Sequence, residues 1–258
     1  MPDPVRLERR GQVLEITLDR PKANAIDAKT SRAMGEAFDS FQNDPDLRVA
    51  ILTGAGERIF SAGWDLNTAE DEDQDYGSGG FGGLMNRFDL DKPVIAAVNG
   101  ACAAGGFEIA LAADLMVAAD HAFFFLSEAT LGLTVGAVSV ARLFERVPHQ
   151  TAVDMLYTGR RINTEAALRL GLVAEVVPME ELMDASRSLA ERIIASAPLS
   201  VAAMKEMITK VSALPVAEAD RIARSGGLPA QKRAGSSEDA KEGPRAFNEK
   251  RAPVWKGR

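Results

Sequence analysis

From Pro93 to Ala119 the chain reads PVIAAVNGACAAGGFEIALAADLMVAA, and the interpretation of this stretch decides the fold. Its length and apolarity match a membrane span, which takes about 20 residues. Asn99, Gly105, Gly106, Glu108 and Asp114 interrupt it. A carboxylate in the middle of a lone spanning helix is costly, whereas a strand, a glycine turn and a buried helix accommodate the pattern readily. The stretch therefore reads as a buried strand from Pro93 to Val98, a turn at Asn99-Gly100, a helix from Gly105 to Ala113 and a second strand from Leu115 to Ala119. Glu108 is left as a carboxylate in the first turn of an otherwise apolar helix.

The same alternation extends on both sides. Val13 to Leu18 alternates like a half-buried strand, and Ala28 to Phe41 has helical spacing through Met34, Ala37, Phe38 and Phe41. Arg48 to Thr53, Ala122 to Leu126 and Leu172 to Val177 are further strand candidates. Strands alternating with helices predict an α/β domain. After about residue 180, Glu180 to Ser196 and Leu199 to Val211 read as helices, Leu228 to Ser237 as a loop, and Glu238 to Lys250 as a last helix. The expected division is a catalytic α/β domain over 1–195 and a helical C-terminal region over 196–258.

Composition narrows the function. The 258 residues include 30 basic and 37 acidic side chains for a net charge of −7, which argues against a broad nucleic-acid surface. A single cysteine, Cys102, excludes an intramolecular disulfide, and His121 and His149 cannot build a three-histidine metal site. No apolar signal stretch is seen in MPDPVRLERRG at the N-terminus, so the expected location is the cytoplasm, with no membrane partner. Glu70 to Gly83, EDEDQDYGSGGFGG, reads as a mobile surface loop. Gly77, Gly79 and Gly82 match G-x-G-x-x-G there, but an acidic run precedes them where a dinucleotide fingerprint needs a strand.

Two glycine turns draw attention. NGACAAGG runs into the helix that carries Glu108, and FSAGWD at 60–65 follows another strand. If the turns face one another, their backbone N–H groups can grip a single oxyanion. On spacing alone, a pair of tight turns is the better explanation. Glu128 is a second carboxylate, 20 residues later, in Ser127-Glu128-Ala129. It reads either as a solvated N-cap or as the partner of Glu108 in acid–base work.

These segments resemble the crotonase (enoyl-CoA hydratase/isomerase) superfamily along nearly the whole chain. The resemblance is carried by ITLDRPKANAID at 16–27, FSAGWDL at 60–66, the stretch 92–120, SEATLGL at 127–133, YTGRRINTEAALRLGLVAEVV at 157–177, APLSVAAMKE at 197–206 and EDAKEGPRAFNEKRAPVWKGR at 238–258. It implies a spiral of repeated β-β-α units with a helical C-terminal region used for oligomerisation and CoA contact. The implied assembly is a homotrimer or a dimer of trimers.

Position by position, the resemblance makes Trp64 and Gly105 the N–H donors of an oxyanion hole and Glu108 and Glu128 the catalytic glutamates of a hydratase. Lys22, Ala23, Ala62, Asp65, Leu66 and Lys250 match the CoA-binding surface. The substrate is then an acyl-CoA thioester to which water is added or from which it is eliminated. No cofactor is implied beyond the CoA that belongs to the substrate, and no metal. Within the superfamily, the GWDL turn and the AFNEKRAPVWKGR tail look most like the branch acting on crotonobetainyl and carnitinyl thioesters. The trimethylammonium group of such a substrate needs aromatic faces or a carboxylate, for which Trp64, Tyr76, Phe81 and Phe88 are the aromatic candidates. Double-bond isomerisation, thioester hydrolysis and acyl-CoA binding without turnover remain as alternatives. Val138 and Ser139 stand where many members have glycines near the acyl pocket.

Overall fold

The computed structural model describes residues 3–68 and 75–258. The chain forms two compact units, one made of Met1–Arg87 and Val94–Ala190, the other of Phe88–Pro93 and Glu191–Arg258. Strands are confined to the first unit among the described residues. In chain order they are β1 (Val5–Arg10), β2 (Val13–Leu18), β3 (Ala25–Ile26), β4 (Val49–Gly54), β5 (Ile59–Ser61), β6 (Gly63–Trp64), β7 (Val94–Val98), β8 (Ala101–Ala103), β9 (Leu115–Ala119), β10 (Phe123–Phe125), β11 (Ile162–Asn163) and β12 (Glu175–Val177).

A six-stranded sheet has the order β1-β2-β4-β7-β9-β12, antiparallel between β1 and β2 and parallel thereafter. A four-stranded sheet has the order β11-β10-β8-β5. The spiral follows from this register. The pairs β4/β5, β7/β8 and β9/β10 each give their first strand to the large sheet and their second to the smaller one. Val49–Gly54 and Val94–Val98 are buried along their whole length, as parallel strands covered on both faces must be. That burial is why the stretch opening at Pro93 imitates a membrane span. No helix among the described residues is long and apolar enough to cross a membrane.

The helices of the first unit are α1 (Ala28–Asn43), α2 (Gly105–Ala112), α3 (Ala137–Arg146), α4 (His149–Thr158) and α5 (Thr164–Leu170), and α6 (Leu182–Ile194) leads out of it. Asp27 caps α1 by accepting the Thr30 N–H at 2.7 Å, and Met34, Ala37, Phe38 and Phe41 form its buried stripe. Glu15, 5% exposed on β2, is satisfied by Arg187 of α6 at 2.7 and 3.1 Å.

The second unit contains α7 (Pro198–Val211), α8 (Val216–Arg224), α9 (Pro229–Ser236) and α10 (Asp239–Asn248). Helix α9 corrects the expectation of a loop over Leu228 to Ser237. Pro229 opens it at a position where a missing N–H is harmless, and the Glu206 carboxylate of α7 accepts the Ala230 and Gln231 N–H groups at 2.8 and 3.3 Å. The cap comes from a distant helix and leaves no local signal.

The glycine-rich loop also departs from expectation. Its residues 70–74 lie outside the described residues, but Gly79, Gly82 and Gly83 are buried rather than part of a loose surface loop. A Cβ at Gly83 would collide with the backbone of Met34 and Gly35 on α1, and the Gly82 N–H donates to Ser31 Oγ at 3.0 Å. The glycines here allow close packing onto a helix.

Candidate active site

The two glycine turns do face one another. Ala104, which follows β8, has φ 50° and turns the chain sharply into α2. The N–H groups of Phe107 and Glu108 return to Ala104 O at 2.8 and 3.0 Å, so those of Gly105 and Gly106 head the helix with no intrahelical acceptor. Opposite them, Gly63 has φ +84°, and a Cβ there would lie 2.5 Å from Gly105 N. A Cβ on Gly105 would in turn lie 2.6 Å from Phe81 Cε1. Only glycine permits this approach.

A network of buried polar side chains fixes the second turn. Ser61 Oγ, fully buried, donates to Asn24 O at 2.7 Å and accepts the Gly63 N–H at 3.0 Å. Asn99 Nδ2 donates to Gly56 O at 2.7 Å and Ile59 O at 3.1 Å, joining the turn after β7 to the one after β4. The Asp65 N–H pairs with Ile26 O at 3.0 Å, so by strand alternation the neighbouring Trp64 N–H leaves β6 on the opposite edge.

Trp64 and Gly105 line one cavity of about 450 Å³ together with Glu108 and Glu128. Both carboxylates are 8% exposed. Glu108 Oε1 accepts the Gly136 N–H at 2.8 Å, at the start of α3. Glu128 opens a short 3-10 turn, Glu128–Leu131, and its buried Oε2 has no hydrogen-bond partner. Burial, with the Glu108 charge adding to it, pushes the Glu128 carboxyl up to about 7 against the opposing pull of its own N–H. The solvated N-cap reading of Glu128 is thereby excluded.

The residues matched to a CoA surface separate into groups. Ala62 and Leu66 line the glutamate cavity, while Lys22, Ala23 and Asp65 line a second one of about 670 Å³. Asp65 is buried, but Arg20 at 2.6 Å and the Asn67 N–H at 3.0 Å hold its carboxyl below the usual range. Lys250 is exposed and belongs to the other unit. Of the aromatic candidates, Trp64, Tyr76 and Phe81 line the glutamate cavity, whereas Phe88 is 59% exposed and is not among its lining residues. Val138 and Ser139 do not line it either. Ser139 is fully buried in α3, and the position that borders the site is Gly136.

Sequence reasoning missed Gly136, Ser61 and Arg20. An N–H donor and a turn-bracing hydroxyl have no residue-type signature. Only the offset of Ser61, two residues before Gly63, hints at a side chain bonding back onto a turn. Among the described residues no group of three or more His, Cys, Asp or Glu is placed to hold a metal ion. Cys102 is buried, which pushes its thiol well up and suits a packing role.

Comparison with known proteins matches residues 8–258 to the enoyl-CoA hydratase/isomerase model. The chain belongs to the enoyl-CoA hydratase/isomerase family. It is 57% identical to a carnitinyl-CoA dehydratase of Salmonella enteritidis PT4 and 56% identical to that of Salmonella typhi, each over 100% of both chains. Among solved structures, an enoyl-CoA hydratase from Mycobacterium tuberculosis H37Rv superposes with a TM-score of 0.91 at 40% identity, over 99% of this chain and 100% of that one. One from Novosphingobium aromaticivorans superposes with a TM-score of 0.88 at 32% identity, over 100% and 99%. The spiral of β-β-α units described above is thus the crotonase fold.

Proposed function

We propose that the protein is a hydro-lyase that adds water to, or removes it from, the α,β bond of a CoA thioester, with carnitinyl-CoA and its dehydrated crotonobetainyl form as the substrate pair. The observation that carries this reading is that Glu108, Glu128, Trp64 and Gly105 line one cavity. In the hydration direction, the thioester oxygen lies between the two N–H groups, which favour the charge that develops on it. Glu108, held by Gly136, takes a proton from the water whose oxygen bonds to Cβ. Glu128 delivers a proton to Cα. This division follows the site's electrostatics: Glu108 is anchored as an acceptor, whereas Glu128, raised to about 7, retains a proton near neutral pH.

The acyl group rests on similarity to proteins called carnitinyl-CoA dehydratase over their full length. Isomerisation and hydrolysis are less well matched, since two buried carboxylates line the same cavity. A binding protein without turnover gives no reason for two buried carboxylates beside an N–H pair. Lys22, Ala23 and Asp65 would meet the nucleotide end of CoA, with Lys22 facing phosphate. Lys250 is assigned the same role, and no further cofactor is assigned. Self-association into trimers or dimers of trimers is supported by exposed apolar side chains of the second unit such as Ile208, Val216 and Phe247. A cytoplasmic setting agrees with the free Cys102. The test is turnover of crotonobetainyl-CoA and crotonyl-CoA side by side, in which preferred hydration of the former supports the acyl assignment and a strong crotonyl preference refutes it.

A further inference from the structure

The glutamate cavity is unbalanced in charge. Two carboxylates line it, and no lysine, arginine or histidine does so among the described residues. One carboxylate oxygen, Glu128 Oε2, is buried without a partner. Such an atom is costly unless a ligand meets it. In the same cavity, Tyr76 and Phe81 form an edge-to-face pair with centroids 5.7 Å apart, and the Phe81 ring packs against Gly105, whose N–H is assigned to the thioester oxygen. In the substrate proposed above, the quaternary nitrogen is attached to the carbon next to Cβ. It cannot leave the neighbourhood of the carboxylates that handle water at Cβ. A quaternary ammonium offers no N–H, so it is recognised by carboxylate charge and by aromatic faces.

We propose that the open carboxylate oxygen of Glu128, backed by Glu108, and the Tyr76–Phe81 ring pair form a subsite for a quaternary ammonium two bonds beyond the carbon that receives water. The pocket then selects cationic acyl thioesters over neutral ones of the same shape, and the catalytic carboxylates double as the specificity element. A nearby positive charge also favours the ionised form that Glu128 takes as its proton leaves, so the cation assists the transition state more than the ground state. This rests on the reading of the site given under the proposed function.

The test uses two saturated probes that bind but cannot be hydrated: 4-trimethylammoniobutanoyl-CoA and its neutral isostere 5,5-dimethylhexanoyl-CoA. Their affinities for the intact protein are measured by calorimetry at pH 8. The cationic thioester is expected to bind about tenfold more tightly or better, with the preference shrinking to within about threefold in Glu128→Gln and falling measurably in Phe81→Leu. Where Phe81→Leu lowers the folded yield, Tyr76→Leu carries the same comparison. Equal affinity of the wild-type protein for both probes overturns the subsite, as does a preference that survives Glu128→Gln and the ring variants unchanged. Crotonyl-CoA hydration, run in parallel, separates the two ideas. A protein that prefers the cation but hydrates no enoyl thioester keeps the subsite and loses the hydro-lyase reading, and one that hydrates without preference does the reverse.

Discussion

Glu108 and Gly136 meet through one hydrogen bond, the Gly136 N–H at the start of α3 donating to Glu108 Oε1 at 2.8 Å. That bond fixes the carboxylate of a helix whose first turn also supplies Gly105, so the proposed base and one proposed oxyanion donor are set by neighbouring backbone.

Gly136 has φ −61° and ψ 136°, a conformation that proline adopts. Gly136→Pro removes the donor, while Gly136→Ala keeps it. Both add a Cβ about 3.0 Å from Glu108 Oε1, and the proline ring in addition places its Cδ where the donated hydrogen was, so the carboxylate loses the bond and must turn away. Gly136→Pro is expected to lower kcat about tenfold more than Gly136→Ala does, with KM for the two within about threefold, in line with the loss of a hydrogen bond to a charged group. Steady-state hydration of crotonyl-CoA reads the difference.

Gly63 tests the facing turns. A methyl group there lies 2.5 Å from Gly105 N, at a φ of +84°. Gly63→Ala is expected to separate the two N–H groups and reduce hydration by about 100-fold or more, the scale for losing an oxyanion donor. Circular dichroism should show the fold retained. Near-normal turnover in a folded variant would remove Trp64 and Gly105 from the site.

Glu128 should give the reaction a titration near neutrality. Its carboxyl is raised from the ordinary 4.5 to about 7 by burial. If its protonated form delivers the Cα proton, kcat/KM for crotonyl-CoA hydration falls as pH rises through about 7. The stability contributed by the neutral carboxyl is fully present below about 4.5 and lost as pH rises through about 7. Glu128→Gln is therefore expected to gain in Tm relative to the wild type between pH 5 and pH 8. A difference in Tm that is the same at both values would contradict the raised carboxyl.

In the second unit, Glu206 caps α9 from α7 through the Ala230 and Gln231 N–H groups. Glu206→Ala is expected to cost about 1 kcal/mol of stability, as for other lost caps, and to leave the chemistry at the glutamate cavity unchanged. Denaturant melts alongside hydration assays check both halves of that statement.

The parts legible in the sequence were those governed by local pattern. The continuous apolar runs of β4 and β7 and the alternation of β2 are periodicities, and Asn99-Gly100 and Gly105-Gly106 are punctuation. Glu108 stood out because one carboxylate in an apolar first turn is a local anomaly. The rest depends on what the spiral brings together from afar. The burial of Glu128 depends on the 3-10 turn after β10 meeting α4, which comes later in the chain. The cap of α9 sits 24 residues away on another helix. The buried glycines of 79–83 look like a flexible loop until α1 packs against them, and Gly136 acts through a backbone N–H that every residue but proline shares.

The most direct measurement of the central claim is hydration by Glu108→Gln and Glu128→Gln, in which each carboxylate keeps its shape and loses its charge. With crotonobetainyl-CoA or crotonyl-CoA as substrate, each variant is expected to fall by about two orders of magnitude or more while the thioester still binds. Near-wild-type hydration by either folded variant would contradict the assignment of these two glutamates as the groups that handle water and proton.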